Sequence, residues 1–174
     1  AFFNKNGFIH FSGVASPQEV ADIIRSTEDI QSKWIREGVK KINGVPIRFG
    51  IDENNKTIVH RFCFTSQYCE PVHAFVNSQR VKALKVLMPD GARIAENEKD
   101  GVVFNHYVNT DNSNFRQMGW HTDSMRDIFY GKKIMPMLNV GLYLDDSSSD
   151  KGGLRIIPGT HKQNLFSMLF KKAY

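Results

Sequence analysis

In this 174-residue chain, the residues whose types and spacing could do chemistry lie in Gly119-Trp120-His121-Thr122-Asp123. On a strand, side chains two positions apart project from the same face, because direction alternates with period 2. His121 and Asp123 would then stand side by side, one imidazole and one carboxylate. That is two-thirds of the two-His-one-carboxylate set that holds non-heme Fe(II). Alone the triplet says little: with six His and 18 acidic residues in the chain, a His-x-acid triplet arises about 0.6 times by chance. A surface His beside a turn Asp is the plain alternative, and the flanking sequence decides between the two.

Upstream, Val102 to Val108 is rich in β-branched and aromatic residues and reads as a strand. A polar loop follows from Asn109 to Gln117. Downstream, Met135 to Leu144 is a second strand-like run. A turn-rich stretch, Asp145 to Gly153, leads into Leu154-Arg155-Ile156-Ile157-Pro158-Gly159-Thr160-His161, with Pro158 35 positions past Asp123. Trp-His-x-Asp, a strand and then Gly-Gly-Leu-Arg-Ile-Ile-Pro-Gly-Thr-His resembles the phytanoyl-CoA dioxygenase family. The opening Asn6-Gly7-Phe8-Ile9-His10-Phe11, followed by Ser16-Pro17-Gln18-Glu19-Val20, is similar to the start of that family's domain. The likeness therefore runs nearly end to end.

The resemblance implies an Fe(II)/2-oxoglutarate-dependent oxygenase on a double-stranded β-helix, a jelly-roll or cupin-like core. Its expected reaction hydroxylates a small-molecule substrate while O2 is consumed and 2-oxoglutarate is decarboxylated to succinate. His121 and Asp123 are the metal ligands so implied. Three protein ligands on one face leave three adjacent positions open; 2-oxoglutarate takes two through its 1-carboxylate and 2-keto oxygen, and O2 the third. His121 must be neutral and Asp123 ionised to bind, so activity should fall in acid. A hydrogen-bond acceptor on the second imidazole nitrogen is expected. Asn105 and Asn109 share a face if their strand stays regular, and polar residues there bind 2-oxoglutarate in related oxygenases; Asn109 could equally just start the loop. Asn139, Gly141 and Tyr143 share a face of the next strand, where Gly141 would leave room beside the metal. Trp120 either walls the site or packs, with packing the simpler reading.

His161 is a tempting third ligand, but in the resembled family the Pro-Gly-Thr-His histidine is not one. The family's distal His, and the Arg that grips the far carboxylate of 2-oxoglutarate, come on later strands. The chain ends at Tyr174, 51 residues past Asp123, so the resemblance implies a domain incomplete at its C-terminus, its last strands missing. Such a chain should bind iron weakly, lack the family's grip on 2-oxoglutarate, and associate through open sheet edges. Two other readings stay open: a non-catalytic relative serving as a binding or scaffold module, and a different cupin-like metalloenzyme, which would bring more His and Glu ligands together.

Composition bounds the rest. At 41% hydrophobic residues the chain can bury one sizeable core, so a single domain over 1–174 is expected. No run approaches 18 apolar residues, which excludes a helical membrane span, and the start lacks the layout of a secretory signal. Cys63 and Cys69 match no metal spacing and read as buried reduced thiols of a cytoplasmic protein. The net charge of +5 is scattered, with no basic cluster, so solvated faces explain it better than a nucleic-acid groove. If charge serves function, an anionic small-molecule substrate or co-substrate is the simplest partner.

Along the chain, Phe8 to Phe11 is a short strand candidate. Ser16 with Pro17 and Glu19 is a capping box, opening a helix whose apolar positions run to Trp34 and Ile35 before Gly38 stops it. Lys41 to Asp52 reads as loop with strand fragments, and Thr57 to Phe64 as a strand. His60 and Arg61 could reach an active site or face solvent. Helices are expected from Glu70 to Val76 and from about Ser78 to Met88, with turns at 89–91 and 97–101. His10 and His73 need no functional role. Helices first and strands later give an α+β fold with the N-terminal helices packed on one sheet.

Overall fold

The computed structural model of the chain describes residues 2–108, 120–121, 137–146 and 153–162. Its longest element, helix α2 (Pro17–Glu37), starts where the sequence says it should. The Glu19 N–H donates to Ser16 Oγ at 3.2 Å and the Ser16 N–H to Glu19 Oε2 at 2.8 Å, so two otherwise unpaired donors are satisfied reciprocally. That N–H from Ser16, and after it the Arg80 guanidinium, hold the Glu19 carboxyl down at about 2. Gly38 ends the helix in the left-handed conformation at φ 67°, its N–H reaching Ile35 O. The buried stripe of α2 is Ile23, Thr27, Gln31 and Trp34. Thr27 tolerates full burial because its hydroxyl donates to the carbonyls of Ile23 and Ile24, at 3.0 and 2.8 Å.

Two antiparallel sheets follow. Strands β1 (Lys41–Ile42) and β2 (Val45–Pro46) form a small hairpin around Asn43-Gly44, both at positive φ. The second sheet has the order β3-β4-β5, from β3 (Arg48–Ile51), β4 (Thr57–Phe62) and β5 (Phe104–Asn105). Asp52 makes the β3–β4 connection by accepting the N–H groups of Asn54 and Lys56, at 2.8 and 2.9 Å. Trp34 of α2 meets Phe62 of β4 edge to face at 5.0 Å, and Phe62 packs on Phe104 at 5.4 Å. Around them Ile42, Ile47, Val59, Cys63 and Phe64 complete one core cluster. Complete burial of a side chain such as Phe62 contributes roughly 1.5–3 kcal/mol.

After β4 the chain turns sharply at Phe64, which holds φ 59°. Its N–H donates to Asp100 O at 3.0 Å and the Thr65 N–H to Val102 O at 2.8 Å, which pins residues 100–102 beside the turn. Helix α3 (Glu70–Val76) and the short α4 (Gln79–Lys82) come next. Where the sequence predicts one helix over 78–88, the α-helix stops at Lys82 and continues as a 3-10 turn through Leu87. Pro89 then forces Met88 to extended geometry, φ −118° and ψ 159°. Glu96 ties the returning loop to α3, accepting from Asn77 Nδ2 at 3.1 Å and bonding His73 Nδ1 at 2.8 Å. Burial alone would raise the Glu96 carboxyl, but the polar side chains around it, Ser66, Asn77 and His73, leave it below its ordinary range.

The chain divides into two compact units, residues 1–14 with 117–174 and residues 15–116. The first opens with a short helix, α1 (Phe2–Asn6), that the sequence reading did not anticipate. Three expected strands are corrected. Phe8 to Phe11 and residues 137–144 carry no strand, since neither joins a ladder among the described residues, and only Phe104–Asn105 of the run 102–108 pairs, with Arg61 and Phe62. The fold is a mixture of helix and sheet, α+β as expected. Among the described residues no helix is long and apolar enough to cross a membrane.

Two tests follow from this packing. An alanine at Gly38 would meet nothing within 4 Å but must hold φ 67°, so it should cost about 1–2 kcal/mol in urea melts. At Gly101, φ 59°, the added Cβ would also collide with the Glu96 carbonyl and the Phe64 ring, and the loss should be clearly larger. Glu96 supplies the pH dependence. Its folded pKa lies below the ordinary 4.5, so its contribution is complete above that value and lost as pH falls through the folded one. Wild type should therefore exceed Glu96→Gln in stability above about pH 5 and converge with it in acid; a gap that widens on acidification refutes this.

Candidate functional site

Each unit contributes residues the sequence singles out. In the first, Trp120 and His121 both lie at the surface, Trp120 at 47% exposure. Trp120 is thus about half covered, and His121 is open to solvent. Neither belongs to a strand. Asp123 lies outside the described residues, and with it the juxtaposition of imidazole and carboxylate. Gly141 is exposed, and a Cβ there would meet only the Tyr143 ring edge, at an ordinary 3.8 Å. The segment 137–146 around it has no ladder among the described residues.

His161 has a clear structural assignment. The Pro158-Gly159-Thr160-His161 turn is closed by Thr160 Oγ1 donating to Ile157 O at 2.8 Å. From it the Gly159 N–H donates to Asn6 O at 2.8 Å, while His161 Nε2 lies 3.3 Å from Asn4 O. The imidazole covers Gly7, which sits at φ 81°, so tightly that an added Cβ would have to displace it. The histidine of this motif thus clasps the end of α1. The local signal was Asn6-Gly7, a dipeptide suited to a left-handed turn.

In the second unit Asn105 is exposed on β5, opposite Arg61 of β4. Asn109 lies outside the described residues. Arg61 has partners within its own unit: Nη2 pairs with Asp100 Oδ2 at 2.9 Å and Nη1 donates to Cys63 Sγ at 3.3 Å. Nor is His60 a solvent-facing strand residue. It lies against Gly50, and burial, with the neighbouring His106 second, keeps its imidazole below the ordinary range. Asp100 is the partner the sequence could not name, 39 residues from Arg61. Cys63 and Cys69 are free and buried, and burial raises both thiols, so neither is a ready thiolate nucleophile.

The donor types suit ferrous iron, an imidazole at 121 and a carboxylate at 123. Among the described residues, however, no group of three His, Cys, Asp or Glu gathers into a metal site. The family comparison supplies what side-chain geometry alone does not. The phytanoyl-CoA dioxygenase (PhyH) family model matches residues 3–173. The chain belongs to the phytanoyl-CoA dioxygenase family. This is a family of oxygenases whose members typically use Fe(II) and 2-oxoglutarate. No curated protein and no solved structure matches the chain. The family match takes in both units, and includes the His-x-Asp triplet and the Pro-Gly-Thr-His turn.

The clasp around Gly7 can be checked directly. Gly7→Ala must hold a left-handed φ and displace the His161 ring, so it should cost at least about 1–2 kcal/mol. Limited proteolysis should then cut faster within residues 1–14, and His161→Ala should give the same cleavage pattern. Unchanged cleavage in both variants would show that the turn does not restrain the N-terminus.

Proposed function

We propose that this chain is the oxygenase domain of an Fe(II)/2-oxoglutarate-dependent dioxygenase that hydroxylates a small molecule. The observation that carries this is the family match over residues 3–173, with His121-Thr122-Asp123 in place inside it. We read residues 1–174 as one such domain, built on a double-stranded β-helix, and place it in the cytoplasm. His121 and Asp123 would hold the ion, the first as a neutral imidazole and the second as a carboxylate. Asn105 and Asn109 are assigned, on the family resemblance, to hydrogen bonds with 2-oxoglutarate, and Gly141 to leaving space beside the metal. When bound, Fe(II) supplies the activation of O2 that couples oxidation of 2-oxoglutarate, to succinate and CO2, to hydroxylation. The protein's part is to orient the co-substrate, to exclude water and to keep both ligands deprotonated. The scattered excess of positive charge, +5 overall, favours an anionic substrate over nucleic acid or membrane.

The test, made on the full-length protein, is oxygen uptake matched to succinate release after adding Fe(II) and 2-oxoglutarate, with no prime substrate required. Uncoupled turnover should be measurable, and His121→Ala and Asp123→Ala should each lower it by at least about 100-fold. If the metal-loaded protein releases no succinate, the oxygenase reading fails and the non-catalytic binding module takes its place.

A further inference from the structure

Helices α2 and α3 leave a groove of about 680 Å³ between them, within the unit of residues 15–116. Its apolar lining includes Ile30, Pro71, Ala74 and Phe75. Four carboxylates line it, Glu19, Asp22, Asp29 and Glu70, against two cations, Arg25 and Lys33. A third cation, Arg80, reaches in from outside the lining to pair with Glu19 and to lie 5.2 Å over the Phe75 ring, so four acids face three bases and the local balance is acidic by one on a chain whose net charge is +5. Two of the carboxylates are already engaged: Glu19 with Arg80, and Asp22 with Arg25 at 3.5 Å. Asp29 on the α2 wall and Glu70 on the α3 wall are exposed, and neither makes an ion pair among the described residues.

We propose that this groove docks a basic amphipathic helix of a partner protein. Its length argues for a helix over a compact ligand. From Glu19 to Lys33 the lining follows α2 for 14 residues, about 21 Å at 1.5 Å per residue. An amphipathic helix laid there would bury its apolar stripe on Ile30, Ala74 and Phe75 and complete a three-helix contact. Its flanking Lys and Arg residues would meet Asp29 on one side and Glu70 on the other. Lys33 sits at one end of the groove and opposes the same charges. Electrostatic complementarity of this kind sets partner choice more than raw affinity, and it weakens with salt.

The probe is a fluorescein-labelled helical peptide of about four turns, with leucines at i, i+3, i+4 and i+7 and lysines flanking them. A second peptide carries glutamates in place of the lysines. Fluorescence anisotropy with the full chain should show the basic peptide binding at least about tenfold tighter than the acidic one. Reversing both carboxylates, Asp29→Lys with Glu70→Lys, should remove that preference; these residues are exposed and make no ion pair among the described residues, and circular dichroism checks that the fold survives. Lys33→Glu should tighten the basic peptide, an independent arm that does not depend on the double variant folding. Equal binding of the two peptides, or no response to either charge change, overturns the proposal. Displacement of the peptide by spermine at matched charge concentration also overturns it, in favour of a small-cation site.

Discussion

The edge-to-face contact of Trp34 with Phe62 joins the long helix to the central strand, and most of the second unit is arranged around it. At 5.0 Å between ring centres, with both residues all but inaccessible to water, it fixes which face of α2 looks inward and which face of β4 looks outward. Tyr68 also meets the indole edge to face, at 5.2 Å, so the segment leading into α3 is drawn to the same point. Phe104 extends the stack on the strand side. Aromatic pairs add stabilisation beyond the area they bury, and they do so only at defined angles. One indole therefore sets the mutual placement of helix, sheet and connecting turn.

The parts of this unit that were legible in the sequence are those determined by neighbours in the chain. Ser16, Pro17, Glu19 and Gly38 define both ends of α2 because capping is a local matter of unpaired N–H and C=O groups. The alternation that begins at Thr57 was readable for the same reason, although the strand stops at Phe62 and not at Phe64. What failed was pairing. A run such as Phe8 to Phe11 has strand composition, yet a strand exists only where another backbone offers a ladder, and composition does not report partners. Likewise Glu96 and Asp100 look like ordinary loop acids, and only the return of the chain brings them to His73 and Arg61.

The site divides along the same line. Residue types in order, Trp-His-x-Asp and then Pro-Gly-Thr-His, were enough to place the chain in an oxygenase family. The assignment of His161 to something other than metal came from that likeness, and the structure gives it a physical content, a clasp on Asn4, Asn6 and Gly7. Three-dimensional questions about the ligand pair could not be reached by spacing, because the period-2 argument for His121 and Asp123 presumes a strand. For Arg61, sequence left open an active-site cation or a solvent-facing strand residue, whereas its guanidinium is engaged by a carboxylate and a sulfur.

The pair of backbone bonds that hold Asp100 and Val102 to the turn at Phe64 has a consequence for how this protein can vary over evolution. They lie just ahead of β5, so they decide the register in which Asn105 faces Arg61 and His106 donates to His60. Lengthening the chain ahead of Asp100 leaves that alignment alone and changes only an outer loop. One residue gained or lost between Gly101 and Asn105 would instead exchange the two faces, turning the Asn105 amide toward Phe62 in place of the Phe104 ring. Relatives should tolerate insertions freely on one side of this clamp and almost none on the other.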